Sequence, residues 1–492
     1  MSSTISAREV LPEGWTWVRV GDILRLLNGH AFKKSQWSTK GLPIVRIQNL
    51  KSPEANFNHF DGLLPDKYRA RTGDLLFAWS GTPGTSFGAH IWTGGDAWIN
   101  QHIFRVDYPA DLFTAKFLRL ALNRNLQDYI EEAQGGVGLA HITKSKLDDS
   151  RLAVPPLPEQ RRLVGRIENI EVRRYSAASH LERARFAIAR FRQAILAAAY
   201  SGRLSAGWRE VNSVTADSLA NALASSASHS KKPIAQPDTD FSGEIPADWR
   251  LVSLDLLIKR IEAGRSFKAE GRPARSDEWG VIKVSAMSWG RFLEEENKAV
   301  LSHREVNPAY EIRAGDLLIS RANTAELVGA TVLVGGTRSK LLLSDKSLRL
   351  VPRPGVDKAW LNYALRSSFV RAQFAERATG TSDSMRNLSQ DKILSTALPL
   401  PSTTEQVVIA RRAETLLELA DAIEARIEDA ARRVEISKHA TLIKAFRGAL
   451  VPTEADRSVR EGRDYEPTAV LLQRLTGQTP PASKRGGRRT RE

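Results

Sequence analysis

From Ile409 onward, apolar or small residues fall at Ile409, Ala413, Leu416, Ala420, Ile423, Ile427, Ala430, Val434, Ser437 and Thr441, in alternating steps of four and three. That rhythm is the a/d seam of a coiled coil, sustained for more than four heptads. The same seam lies 246 residues earlier, through Leu163, Ile167, Ile170, Ala177, Leu181, Ala184, Ile188, Phe191 and Ile195. Only Arg174 interrupts it, read here as a long side chain that snorkels out of the seam rather than one paired across it. The pattern predicts two helices of about 43 residues, each about 65 Å long at 1.5 Å per residue. Pro158 ahead of the first and Gly202 behind it are suitable start and stop signals. Small seam residues let two backbones approach closely, so each helix is expected to pack antiparallel on the other, with a globular domain at either end.

Residues 10–155 and 244–400 have another texture, with short apolar runs punctuated by Gly, Pro, Asn and Asp. These are strand-and-loop domains. Trp15 in Leu11-Pro-Glu-Gly-Trp15 returns as Trp249 in Ile245-Pro-Ala-Asp-Trp249, and Arg71-Thr-Gly-Asp-Leu-Leu-Phe77 returns as Arg313-Ala-Gly-Asp-Leu-Leu-Ile319. Pro156-Leu-Pro-Glu159-Gln160 returns as Leu400-Pro-Ser-Thr-Thr-Glu405-Gln406, with Ser402-Thr403-Thr404 inserted, and Gly202-Arg-Leu204 returns as Gly448-Ala-Leu450. Four pairs in one order mean that one unit of about 240 residues is used twice. The resulting division is a first globular domain over 1–158, a helix over 159–202, a flexible linker over 203–243, a second globular domain over 244–404, a helix over 405–450 and a disordered basic tail over 451–492.

Composition narrows the partners. Seventy-two Lys and Arg against 56 Asp and Glu leave a formal charge of +16, which favours a polyanion, nucleic acid before membrane. No apolar run approaches the length of a membrane span and the N-terminus lacks the apolar core of a signal peptide, so the expected location is the cytoplasm. With no Cys there is no disulfide, iron–sulfur cluster or thiol nucleophile, and the nine His fall at no metal-ligand spacing. A phosphate-binding GxxxxGK[ST] loop and an [ND]PP[YF] methyltransferase tetrapeptide are both missing, and Gly136-Val-Gly138 lacks the third glycine of a dinucleotide loop. Glu296-Asn297-Lys298 matches half of a nuclease motif and is read as a solvated turn. Asp74 and Asp316, after the repeated Gly, are read as turn caps that begin a strand rather than as a catalytic pair.

The duplicated ΦPxxW entry, the R[TA]GDLL run, the PLPEQ closure and the helix ending in Ala445-Phe-Arg-Gly-Ala-Leu-Val-Pro452 together resemble the specificity subunit of type I restriction–modification systems, over nearly the whole chain. The resemblance implies an α+β chain with two duplicated globular α/β target recognition domains separated by two long helices in an antiparallel coiled coil. Each recognition domain would read one half of an asymmetric, bipartite double-stranded DNA target. The helices would set the spacing and dock two modification (methyltransferase) subunits, with restriction subunits joining the full complex. The chain itself would be non-catalytic and hold no cofactor or metal; S-adenosylmethionine, ATP and Mg²⁺ would belong to the partners. Two other readings stay open: a related system whose partner fuses methyltransferase and endonuclease, and a basic coiled-coil scaffold that binds RNA or membrane.

Bases are read by Arg or Lys on guanine, Asn or Gln on adenine, and Ser or Thr on either. In the first domain the candidate readers are Lys33, Lys34, Gln36, Arg46, Gln48, Asn49, Ser80, Thr82, Asn100, Gln101, His102, Gly136 and His141. For the segments 80–82, 100–102 and 135–141 the resemblance implies a DNA-facing position. The second domain offers Arg265, Lys268, Lys283, Ser285, Arg321, Asn323, Ser344, Lys346, Thr381 and Ser382. Lys33 and Lys34 suit phosphates better than bases, while Trp37 and Trp79 are read as core.

Overall fold

A computed structural model describes residues 10–51, 55–81, 86–124, 126, 140–212, 216–227, 245–302, 306–382 and 385–477. The chain divides into two compact units, Met1–His180 with Ala430–Glu492, and Leu181–Asp429. Each unit therefore draws on both sequence repeats.

In the first unit, strand Thr16–Arg19 pairs antiparallel with Arg151–Val154, which joins the entry of the globular domain to its exit. Between them lies an antiparallel sheet in the order Arg25–Asn28, Ile103–Asp107, Leu75–Ala78, Gly88–Ile91. A second sheet runs Asn58–Phe60, Leu42–Val45, Ala97–Ile99, Arg69–Ala70, with the central pair parallel. Leu75, Leu76, Phe77 and Ala78 are all fully buried. An unbroken apolar run of that length belongs to a strand covered on both faces. Asp74 starts it by accepting the Arg71 backbone N–H at 2.8 Å, and Gly73 supplies the positive φ the turn demands. The helix Ala115–Arg124 sinks Phe117, Leu118, Ala121 and Leu122 into the same core.

The second unit repeats this frame. Arg250–Ser253 pairs with Ala397–Leu400, and the main sheet runs Ile258–Ala263, Ser347–Pro352, Leu317–Ser320, Thr331–Leu333. Gly280–Ile282 lies between Asn297–Ala299 and the parallel strand Leu341–Leu342. Glu296-Asn297-Lys298 thus leads into a strand, and Asn297 is buried, which corrects the reading of a solvated turn. Asp316 accepts from Arg313 N at 2.8 Å after Gly315, so both Gly-Asp pairs are turn caps. A hairpin, Met287–Ser288 with Arg291–Phe292, has no counterpart among the described residues of the first unit.

Two helices of 44 residues each, Leu157–Tyr200 and Thr403–Phe446, carry the seam. In the second unit Ile195 packs with Ala413 and Leu417, and Ile188 with Ala420 and Ile427; one number rises as the other falls, so the helices are antiparallel. In the first unit Leu163, Val164 and Ile167 share the domain core with Ala445 and Phe446. Arg174 bonds Glu171 at 2.7 Å and reaches Glu435 on the facing helix at 3.5 Å, so it is paired across the seam rather than snorkelling.

The segments after the long helices are folded where described. Arg203–Ser205, Ala206–Arg209 and Asp217–Ala227 are helical, as are Glu454–Glu461 and Thr468–Thr476, which corrects the expected tether and the first part of the expected disordered tail. They do equivalent work. Ala216 N donates to Asp248 O and Thr468 N donates to Gly14 O, while Leu219 and Leu223 pack into one core and Leu471 and Leu472 into the other.

They also close two buried latches. The indole N–H of Trp15 donates to Glu159 at 2.9 Å, and Glu454 N donates to the second oxygen at 2.8 Å. Trp249 donates to Glu405 at 2.8 Å, and the other oxygen accepts from Ser205 at 2.6 Å and Arg209 at 2.5 Å. Gln160 accepts from Thr114 N and Gln406 from Asp357 N, which ties each helix start to its own domain. The two sequence motifs ΦPxxW and PEQ are the two sides of one contact.

Candidate nucleic-acid interface

Both globular domains build the same backbone crossing. Gly29 N donates to Ile103 O and His30 N to Ile99 O; Gly264 N donates to Ser347 O and Arg265 N to Leu343 O. A Cβ at Gly29 would lie 2.1 Å from Asn100 O, and one at Gly264 would lie 2.2 Å from Ser344 O, so only glycine permits the approach. The crossing brings His30 against Asn100 and Arg265 against Ser344. Framework is shared while the residues presented on it differ.

Around the crossing of the first domain, Trp79 organises the turn. Its indole N–H donates to Gln101 O at 3.1 Å, its backbone N–H donates to His102 O, and its ring lies 5.2 Å from the His102 ring. Gln101 Oε1 and His102 Nδ1 have no hydrogen-bond partner among the described residues. Ser80–Gly81 pairs with Ala140–His141, so the segments that carry Ser80 and His141 meet; the Ser80 side chain is buried. Thr82 and Gly136 lie outside the described residues.

The basic loop of this domain presents Lys33, Lys34 and Gln48 to solvent. Gln36 spends its carbonyl on Lys33 N at 2.8 Å. Asn49 is 1% exposed, accepts from Arg46 N and donates to Ala55 O, so its amide holds the loop together and is not open to a base. Trp37 is 40% exposed, with the Arg46 guanidinium 5.6 Å over its ring, which corrects its assignment to the core. It is an aromatic–arginine pair on a lysine-rich loop. Half-buried Trp79 stands between the two readings.

In the second domain Arg265 and Lys268 are exposed. Lys283 and Ser285 converge on Glu296, at 3.4 and 2.6 Å, and the Ser285 hydroxyl followed by the Lys283 ammonium holds that carboxyl below its usual range. Asn323 is buried, donates to Val284 O and accepts from Thr324 N, so it is a brace rather than a reader. Ser344 is buried in a turn with Ser347 at 3.1 Å. Arg321 and Lys346 are half-buried on neighbouring backbone, joined by Arg321 N to Lys346 O. Thr381 and Ser382 close the strand Thr379–Ser382, which lies in one sheet with Ala322–Asn323.

Among the described residues no cluster of His, Asp and Glu could hold a metal ion, and no helix is long and apolar enough to cross a membrane. The type I restriction modification DNA specificity domain family matches residues 12–172. The EcoBI specificity subunit of Escherichia coli is 25% identical over 456 residues, 89% of this chain and 86% of that protein. The EcoKI specificity subunit of Escherichia coli K12 is also 25% identical, over 89% of this chain and 90% of its own. The chain is thus similar to type I specificity subunits over about nine tenths of its length. The fold agrees: the HsdS subunit of Thermoanaerobacter tengcongensis superposes with a TM-score of 0.54 at 18% identity, over 91% of this chain and all of that one. A structure described as showing complex assembly and conformational transition of the type I R-M system gives a TM-score of 0.61 at 19% identity, over 90% of this chain and all of its own.

One feature of the first domain leaves almost no signal in the sequence. Lys67, Tyr68, Trp79, Thr143 and Lys144 line a pocket of about 610 Å³ in the first domain, floored by Leu26 and Phe104. Lys67 lies 4.9 Å over the Tyr68 ring. Asp66-Lys67-Tyr68 is the only trace of it in the sequence, and nothing there joins it to Lys144.

Proposed function

We propose that the chain is the DNA-reading subunit of a type I restriction–modification complex, with each recognition domain reading one half of an asymmetric bipartite target. The observation that carries this is the duplicated frame with divergent loops: Gly29 on Asn100 and Gly264 on Ser344 are one device presenting different side chains. Two readers of one build and unlike surfaces fit two unlike half-sites. In the first domain the readers wholly or partly open to solvent are Lys33, Lys34, Arg46 and Gln48, with the 100–102 turn beside them; in the second they are Arg265, Lys268, Arg321 and Lys346. The long helices set the spacing and dock two modification subunits in the cytoplasm, and restriction subunits complete the assembly. Methyl transfer with S-adenosylmethionine and ATP-driven cleavage with Mg²⁺ reside in those partners.

The test is the methylome of the host with and without this gene. Loss of one bipartite adenine-methylation motif is the expected result, and an unchanged methylome rejects the assignment. Exchange of residues 15–150 for those of a relative alters one half-site and leaves the other intact.

A further inference from the structure

Two half-buried arginines of the second domain, at consecutive helices, have no acid or carbonyl to bind. Arg366, just past the helix Lys358–Leu365, and Arg371, on the helix Ser368–Arg377, have no hydrogen-bond or ion-pair partner among the described residues. Arg366 lies against the turn of the 287–292 hairpin: a Cβ at Gly290 would sit 2.3 Å from its guanidinium carbon, and the Tyr363 ring is 5.8 Å away. The Arg371 guanidinium lies 4.4 Å over the Trp289 ring, whose N–H is pinned to Glu326 O at 2.9 Å. Burial disfavours the charge on both, and Arg192 and Arg371 disfavour it further on Arg366 against Tyr363 and Asp421. A desolvated cation left unpaired destabilises a fold unless an anion fills the site.

The equivalent place in the first domain is built differently. Thr114 and Asp357 make the same bond to their respective glutamines, so Asn123 takes the place of Arg366, and its amide is fully used on Ala89 N and O.

We propose that Arg366 and Arg371, framed by the Trp289–Gly290 turn, form an oxyanion site that takes a backbone phosphate of the target DNA next to the second half-site. The proposal rests on the DNA-reading assignment above. Three candidate reading segments border the site. Glu326, which pins Trp289, follows Ala322–Asn323; Asn323 ties that strand to Val284, between Lys283 and Ser285; and the helix of Arg371 runs into Thr379–Ser382. A guanidinium stacked on an indole keeps its in-plane N–H edge free, and that planar fork matches two phosphate oxygens. An acidic side chain of a protein partner is the competing occupant.

The experiment uses the complex assembled with its modification subunits and a duplex carrying the methylated motif. Arg371→Gln and Arg366→Gln are each expected to weaken binding about tenfold or more and to lower the slope of log affinity against log salt by about 0.9, without changing the motif. A neutral methylphosphonate at the contacted position weakens the wild type and leaves Arg371→Gln unaffected. Unchanged affinity and slope, or no methylphosphonate position whose effect disappears in Arg371→Gln, overturns the proposal. Loss of the modification subunits with an unchanged slope also overturns it and assigns the site to a protein acid. If Arg366→Gln fails to fold, Arg371→Gln decides alone. A wild-type complex with no bipartite motif would instead reject the DNA-reading assignment.

Discussion

The two latches use the same Trp–Glu pair and close it differently. Glu405 is fully buried and receives a cation of its own: Arg209 donates to it at 2.5 Å and lies 5.7 Å over the Trp249 ring. Glu159 receives a backbone amide instead, and the nearby Arg162 makes its ion pair, at 2.6 Å, with Glu454. Burial would raise Glu454, but Arg463 and Arg162 outweigh it and hold that carboxyl down. Glu159 is the group that goes without: burial pushes it up to about 7, against the N–H donors of Glu454 and Trp15. A duplicated contact keeps its geometry while its electrostatics diverge, because hydrogen-bond donors of either kind satisfy the oxygens but only one kind brings charge.

The sharpest way to break this symmetry is Arg209→Ala. It strands a buried carboxylate, so the second unit should lose about 3–5 kcal/mol in denaturant unfolding. A smaller loss than Arg162→Ala causes in the first unit would show that Arg209 is not the closing charge.

Next is pH. Glu159 holds its proton more tightly folded than unfolded, so the folded state binds extra proton between 4.5 and about 7. Its contribution is fully present below 4.5 and is lost as pH rises through about 7, by at most about 3 kcal/mol. Unfolding followed from pH 5 to 8 should show the first unit weakening, and Glu159→Gln should flatten that slope.

Replacing the indole donor is milder. Trp249→Phe should cost about 1.5–3 kcal/mol, the range for a hydrogen bond to a charged group. Trp15→Phe should approach that at pH 8 and cost less at pH 5, where Glu159 is protonated; equal losses at both values would contradict the contrast between the latches.

Smallest of all are the seam pairs. Arg174 to Glu435 in the first unit and Arg185 to Glu428 in the second are half-exposed, so alanine at either arginine should change stability by only about 0.2–1 kcal/mol, and less in high salt.

Periodicity made the long helices legible, since seam positions from Leu163 to Thr441 are buried or half-buried. Internal repetition made the paired domains legible. The segments after the helices were not, because their amphipathic runs are short and Ala–Ser-rich or strongly charged, and a few residues such as Leu219, Leu223, Leu471 and Leu472 anchor them. Reader identity was legible only as residue type. Asn49 and Asn323 have the right chemistry for adenine and use it on their own loops, and Trp37 has core chemistry yet is held in solvent beside Arg46. Whether an amide faces inward depends on the loop that closes around it, which composition does not encode.

The interleaving of the repeats also fixes an order of events during synthesis. Glu405 leaves the ribosome when Ser205 and Arg209 already exist, so the second latch can shut at once. Glu159 must wait for Glu454, 295 residues later, or about 15–60 s at 5–20 residues per second. The first recognition domain to be made is therefore the last to be sealed, and for that interval its carboxylate and the surrounding apolar socket stand open.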